Sequence, residues 1–260
     1  SRKKMRHLVV IAHHKSGSTI GKVLISSLCA HIGWELVTYT YRERPTEKGG
    51  TKGLCHFLNK VYPEDLPMWQ RLWQRSTSRL IHFVRDPLEM VTSGYLFHRR
   101  GSELDWTNST RCSRDLCTLP ESVGRGLSKV SAKLLFGELK AAPWLRSLGC
   151  AEQYSTYYEC LNALEVPRGL EVEARRADLT LRTMLDVEAL ARGDAISGTQ
   201  SPAASIFTVR LPQLAADAFN LTISRLISWL GIHTEDEKLL ETTYAKCFDG
   251  RILWKATRSD

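Results

Sequence analysis

"HLVVIAHHKSGSTIGK", residues 7–22, joins a continuous apolar run to a Gly/Ser/Thr loop and then to an apolar-periodic stretch. "HLVVIA" has the character of a buried parallel strand, apolar on both faces. Past the loop, Ile20, Val23, Leu24, Leu28 and Ile32 recur at helical spacing, and Gly33 stops the helix. Strand, glycine-containing loop and helix in this order make a nest of backbone N–H groups at the positive end of a helix. That is an anion site by geometry and dipole together. Lys15 adds a full charge, Ser18 and Thr19 add hydroxyls, and Gly17 lets the backbone approach a ligand with no Cβ in the way. The nucleotide-triphosphatase pattern G-x-x-x-x-G-K-[ST] does not fit. Gly17 to Gly21 encloses only three residues, Lys22 is followed by Val23, and Lys15 precedes its glycine. Taken alone, the loop also fits a plain polar turn ahead of a helix.

Outward from this unit the chain alternates strand and helix. "WELVTYT" (34–40) reads as a second strand, followed by the polar stretch "YRERPTEKGGTKG". "RLIHFV" (79–84) reads as a third strand, and "RDPLEM" opens a helix. Asp86 is its N-cap, Pro87 its first helical residue and Glu89 the return leg of a capping box, and the helix runs to about His98. Residues 99–128 show no sustained period, the mark of a long functional or mobile loop. Helical patterns follow at 129–141 and 152–164. "GLEVEARRADL" (169–179) reads as a fourth strand and "TLRTMLDVEALA" as a helix, then "RGDAISGTQSPAAS" as a flexible loop. "AFNLTISRLISWLG" is an amphipathic helix, and 235–247 reads as another. The expectation is a single α/β domain over residues 1–260, a three-layer parallel sheet flanked by helices.

A second stretch sharpens the first. "RLIHFVRDPLEMVTSGYLFHRR" sets Arg85 at the C-terminal tip of a strand and Ser93 eight residues later, about two turns into the helix. An Arg fork plus a hydroxyl can clamp a phosphate monoester. A surface Arg85 paired with Asp86 is the blander reading of the same residues. Together, "HKSGST" and "VRDPLEMVTSGY", about 70 residues apart and each in a strand–loop–helix setting, resemble the motifs of sulfotransferases that use 3′-phosphoadenosine 5′-phosphosulfate (PAPS). The first is similar to that family's 5′-phosphosulfate loop (His14, Lys15, Ser16, Gly17, Ser18, Thr19), and the second to its 3′-phosphate motif (Arg85 and Ser93). "YYECLNAL" resembles the tyrosine-led helix that borders the nucleotide in the family, which makes Tyr157 a candidate. "DGRILWK" offers Arg251 in place of the family's basic C-terminal loop.

The resemblance implies a P-loop-like sulfotransferase fold and transfer of a sulfuryl group to a hydroxyl or amine of a carbohydrate, lipid or small metabolite. It implies PAPS as co-substrate, adenosine 3′,5′-bisphosphate (PAP) as product, and no metal. Lys15 is then the group that stabilises charge on the departing nucleotide oxygen. The proton acceptor stays open. The small-molecule enzymes of the family use a His, but at that spacing this chain has Pro63. Glu43, 28 residues after Lys15 and just past the second strand, suits the carbohydrate-type arrangement; His56 and Glu64 are reserves. Between Arg42 and Arg44, Glu43 also reads as a solvated surface residue.

Composition sets broader bounds. In 260 residues, 36 Lys and Arg against 28 Asp and Glu give a formal charge of +8. That balance favours anionic partners: nucleotides, nucleic acids, sulfated glycans or membrane surfaces. The seven tryptophans are dispersed and no nucleic-acid motif is present, so a nucleotide donor with a hydroxyl-bearing acceptor fits better than nucleic acid. A non-catalytic polyanion-binding module and a P-loop kinase-like phosphotransferase are the alternatives. No apolar run reaches the roughly 18 residues of a membrane helix. Seven cysteines, an odd number, read mainly as free or structural thiols, although Cys112 and Cys117 could bridge within a loop. The sequons at Asn108 ("NST") and Asn220 ("NLT") matter only in a secretory compartment, so cytoplasmic and luminal settings both stay open.

Overall fold

A computed structural model describes residues 5–39, 53–59, 61, 65–73, 78–108, 141–192 and 206–232. The chain forms two compact units, Ser1–Pro87 with Leu179–Asp260, and Leu88–Asp178.

The first unit holds a five-stranded, all-parallel sheet: β1 (His7–Ala12), β2 (Glu35–Tyr39), β3 (Leu54–Asn59), β4 (Ser78–Val84) and β5 (Ile206–Arg210), in the order β2-β3-β1-β4-β5. β1 is flanked on both edges, so its residues from Leu8 to Ala12 are fully buried. Alternate residues face opposite layers. Leu8, Val10 and Ala12 pack with Ile81 and Phe83 against α1 (Ser18–His31) and the helix Ala216–Leu230. Val9, Ile11 and Leu80 pack on the other side with Leu66, Trp69 and Leu72 of α2 (Leu66–Trp73) and with Val187. This is the three-layer α/β architecture that the sequence predicts. Gly33 ends α1 as expected, at φ 68°, a conformation a side chain would strain.

The second unit contains most of α3 (Pro87–Arg99), then α4 (Leu104–Thr107), α5 (Ala141–Leu148), α6 (Tyr157–Ala163) and the first part of α7 (Val166–Arg192); α8 (Ala216–Leu230) returns to the first unit. The core of the second unit gathers Tyr95, Leu145, Leu148, Tyr157, Leu161 and Val172. α6 starts on a complete capping box, with the Thr156 hydroxyl accepting from the Glu159 amide.

Three expectations are corrected. "GLEVEARRADL" is not a strand but the interior of the 27-residue helix α7. Its buried positions Gly169, Val172, Glu173, Ala177, Thr183, Met184 and Val187 recur at helical, not alternating, spacing. Glu, Ala, Arg and Leu are strong helix formers, and Pro167 sits at the start, where proline is tolerated. Two strands are additional: β3, whose "LCHFLN" carries a histidine in its centre, and the short β5. Finally, the four cysteines among the described residues form disulfides, Cys29–Cys55 and Cys150–Cys160, joined by tertiary proximity across 26 and 10 positions. Cys112, Cys117 and Cys247, the helix expected at 129–141 apart from its last residue, and the helix expected at 235–247 lie outside the described residues.

Candidate functional site

The connections from β1 and β4 leave towards opposite edges of the sheet, β1 to β2 and β4 on to β5. In open α/β sheets the crevice beyond the carboxyl ends of two such strands is where ligands bind. The residues 13–17 and Arg85 stand at those two strand ends.

The loop is built as an anion nest. Lys15 has φ 63° and is the non-glycine residue with positive φ among the described residues; Gly17 follows at φ 93° as the N-cap of α1. A left-handed lysine costs on the order of 1–2 kcal/mol, so its surroundings must enforce it. Ser16 is fully buried and does part of this: its hydroxyl accepts from the His13 amide at 2.8 Å and donates to the His13 carbonyl at 2.9 Å. Its own amide also donates to that carbonyl, at 3.0 Å. Arg85 completes the brace from β4 by donating through Nη1 to the Lys15 carbonyl at 3.3 Å. At Gly17 an added Cβ would lie 2.7 Å from Leu211 Cδ1, at a φ that L-residues avoid. α1 has no side-chain cap and no acid in its first turn, so its first amides and dipole face the loop without a competing carboxylate.

Beneath the loop lies a pair the sequence reading passed over. The buried rings of His13 and His82 meet Nε2 to Nε2 at 2.8 Å. Burial pushes His13 down to about 4, and burial with the charge of His13 pushes His82 well below the ordinary imidazole value. Both rings are therefore neutral near pH 7, one donating and one accepting. The available signal was a histidine inside the otherwise apolar "RLIHFV".

The candidates from sequence are distributed as follows. His14, Lys15, Gly17 and Ser18 are half-buried around the loop, and Thr19 is exposed. Arg85 is half-buried at the same end of the sheet. Ser93 is half-buried in α3, within the second unit. His56 is buried in β3, where Nδ1 meets the Tyr39 hydroxyl at 3.0 Å and Nε2 meets His7 Nδ1 at 3.1 Å. With both nitrogens taken, and burial and His7 holding it down to about 4, His56 is a framework residue of the sheet. Tyr157 is buried in the second unit, and its hydroxyl donates to Glu173 Oε2. Glu173, wholly buried, also accepts from His98 Nδ1 and Arg176 Nε, each at 2.9 Å. Burial alone would raise the Glu173 pKa, but the Arg176 guanidinium and His98 override it and hold the carboxyl at about 2. The Tyr157 hydroxyl is thus committed to a structural network within the second unit. Glu43, Glu64 and Arg251 lie outside the described residues.

No family model matches the chain, and no curated protein matches it. Among solved structures the fold is similar to the crystal structure of mouse sulfotransferase SULT7A1 complexed with PAP, at 12% sequence identity and a TM-score of 0.43. The likeness covers 95% of this chain, which spans 65% of that one.

Proposed function

We propose that the chain is a sulfotransferase that moves a sulfuryl group from PAPS to a hydroxyl or amine of a carbohydrate, lipid or small-metabolite acceptor. The observation that carries this reading is the Arg85–Lys15 brace, which holds the Arg85 side chain against the backbone of the loop that leads into the uncapped N-terminus of α1, at the switch point of the sheet. A donor with a phosphosulfate at one end and a phosphate monoester at the other needs two anion sites near each other. The sequence motif adds Ser93 to the monoester site. Ordinary triphosphate binding is disfavoured because the lysine that follows the second glycine, Lys22, is succeeded by Val23 and not by the Ser or Thr that places a magnesium ion.

In the proposed reaction the acceptor oxygen or nitrogen forms a bond to sulfur as the bond from sulfur to the bridging oxygen of the nucleotide breaks. That oxygen leaves with the electron pair as PAP. The acceptor's proton passes to a base, for which Glu43 is the candidate from sequence. The loose transition state leaves catalysis to positioning and to stabilisation of charge on the leaving oxygen. Lys15 and the amides of Gly17, Ser18 and Thr19 supply that stabilisation.

Lys15→Met tests the assignment. Its partner charge grows only in the transition state, so kcat should fall by roughly two orders of magnitude or more while the donor Kd rises modestly. A change in Kd alone would make Lys15 a binding residue. Glu43→Gln keeps shape but cannot accept a proton; it should bind donor normally and lose transfer. Normal turnover by that variant would remove Glu43 from the mechanism.

A further inference from the structure

Among the described residues each unit contains one disulfide. Cys29 and Cys55 join α1 to β3, and both are fully buried. Cys150 and Cys160 tie the segment after α5 to α6 and are 5% and 0% exposed. Such bonds form and persist where the surroundings are oxidising and are rare where glutathione keeps thiols reduced. A chain that acquires them in a eukaryotic secretory compartment also passes the enzyme that glycosylates Asn-x-Ser/Thr.

Asn108 begins such a triplet, Asn108-Ser109-Thr110. It follows α4 directly and is exposed. Its side-chain oxygen Oδ1 accepts from the Thr156 hydroxyl at 3.4 Å, and Thr156 in turn caps α6. The amide is thereby held by its oxygen, leaving Nδ2, the atom that would carry a sugar, on the opposite side of the planar group. Oδ1 survives glycosylation as an acceptor, so the cap network and a glycan are compatible.

We infer that this chain matures in an oxidising, secretory-type compartment and carries an N-linked glycan on Asn108. In the modification, a bond forms between Asn108 Nδ2 and C1 of an oligosaccharide as the C1–O bond to a lipid pyrophosphate donor breaks. The lipid pyrophosphate leaves with the electron pair, and the amide proton passes to the transferase and solvent. This inference does not depend on the sulfotransferase reading, since it rests on cysteines and an asparagine that the proposed reaction does not use.

The test compares the chain recovered from its own cells with Asn108→Gln and Thr110→Ala forms expressed in the same cells. Thr110→Ala destroys the triplet but keeps Asn108 and its bond to Thr156, so it guards against a folding defect in Asn108→Gln. Peptide-N-glycosidase should increase the mobility of the parent by at least one glycan. Both variants should run one glycan faster than the parent before treatment. Alkylation without reductant should leave Cys29, Cys55, Cys150 and Cys160 unmodified in peptide mass maps. A parent whose mobility matches that of both variants would overturn the glycan assignment, and alkylated Cys29 and Cys55 would overturn the compartment.

Discussion

Arg85 Nη1 donates to the backbone carbonyl of Lys15 at 3.3 Å, across two strands that are neighbours in the sheet and 70 positions apart in the chain. This one bond ties the tip of β4 to the left-handed turn of the loop after β1. It fixes the peptide that precedes Ser16 and so helps aim the amides of the nest. In the proposed site it also brings the guanidinium to the edge of the loop, which is where the second anion of a bisphosphate nucleotide would need it.

Glu173 is a fully buried charge in the second unit. It is buried with the Tyr157 hydroxyl, His98 and Arg176 around it. Glu173→Leu leaves the Arg176 guanidinium without its carboxylate and should cost about 3–5 kcal/mol in urea unfolding. Adding Arg176→Met should recover much of that loss, because a removed pair costs far less than an orphaned charge. A double variant no more stable than the single one would show that the ion pair is not what holds this core.

Acid should destabilise the first unit earlier than carboxylate titration alone would. His13 and His56 are held down to about 4, and His82 well below its ordinary 6.5, chiefly by burial. Between those values the unfolded chain binds protons that the folded chain refuses, so stability is full above about pH 6.5 and declines as pH falls towards 4. Each histidine contributes about 1.4 kcal/mol per pH unit over that window. Urea midpoints should therefore fall steeply from about pH 6.5 downward. A flat profile to about pH 4.5 would mean that these rings are solvated.

Much of this was legible in the sequence where local signals and tertiary needs agree. β1, α1, β4 and α3 are a buried apolar run, an amphipathic period, a second apolar run and a capped helix start, so their patterns name them. The helix α7 was misread because "LEVEARRADL" alternates well enough to pass for a strand. The burial at Gly169, Val172, Glu173 and Ala177, continued at Met184 and Val187, shows the longer period. β3 was missed because His56 breaks its apolar run, and its partners Tyr39 and His7 come from other strands. The disulfides were invisible for the same reason, since Cys29 and Cys55 become neighbours only when α1 packs on the sheet. At the site, the loop residues and Arg85 were identifiable by spacing. The brace between them and the His13–His82 pair beneath are tertiary facts.

The most direct test of the account is calorimetric titration of Arg85→Ala with PAP and with 5′-AMP, which lacks the 3′-phosphate. Loss of the brace to Lys15 should weaken both ligands alike, by no more than about 1 kcal/mol for one long neutral-acceptor bond. Loss of a charge-assisted grip on the 3′-phosphate should weaken PAP alone by a further 1.5–3 kcal/mol, roughly 10- to 150-fold. The account predicts that differential. Equal losses for PAP and 5′-AMP would contradict it, leaving Arg85 as a brace for the loop and not a clamp for the nucleotide.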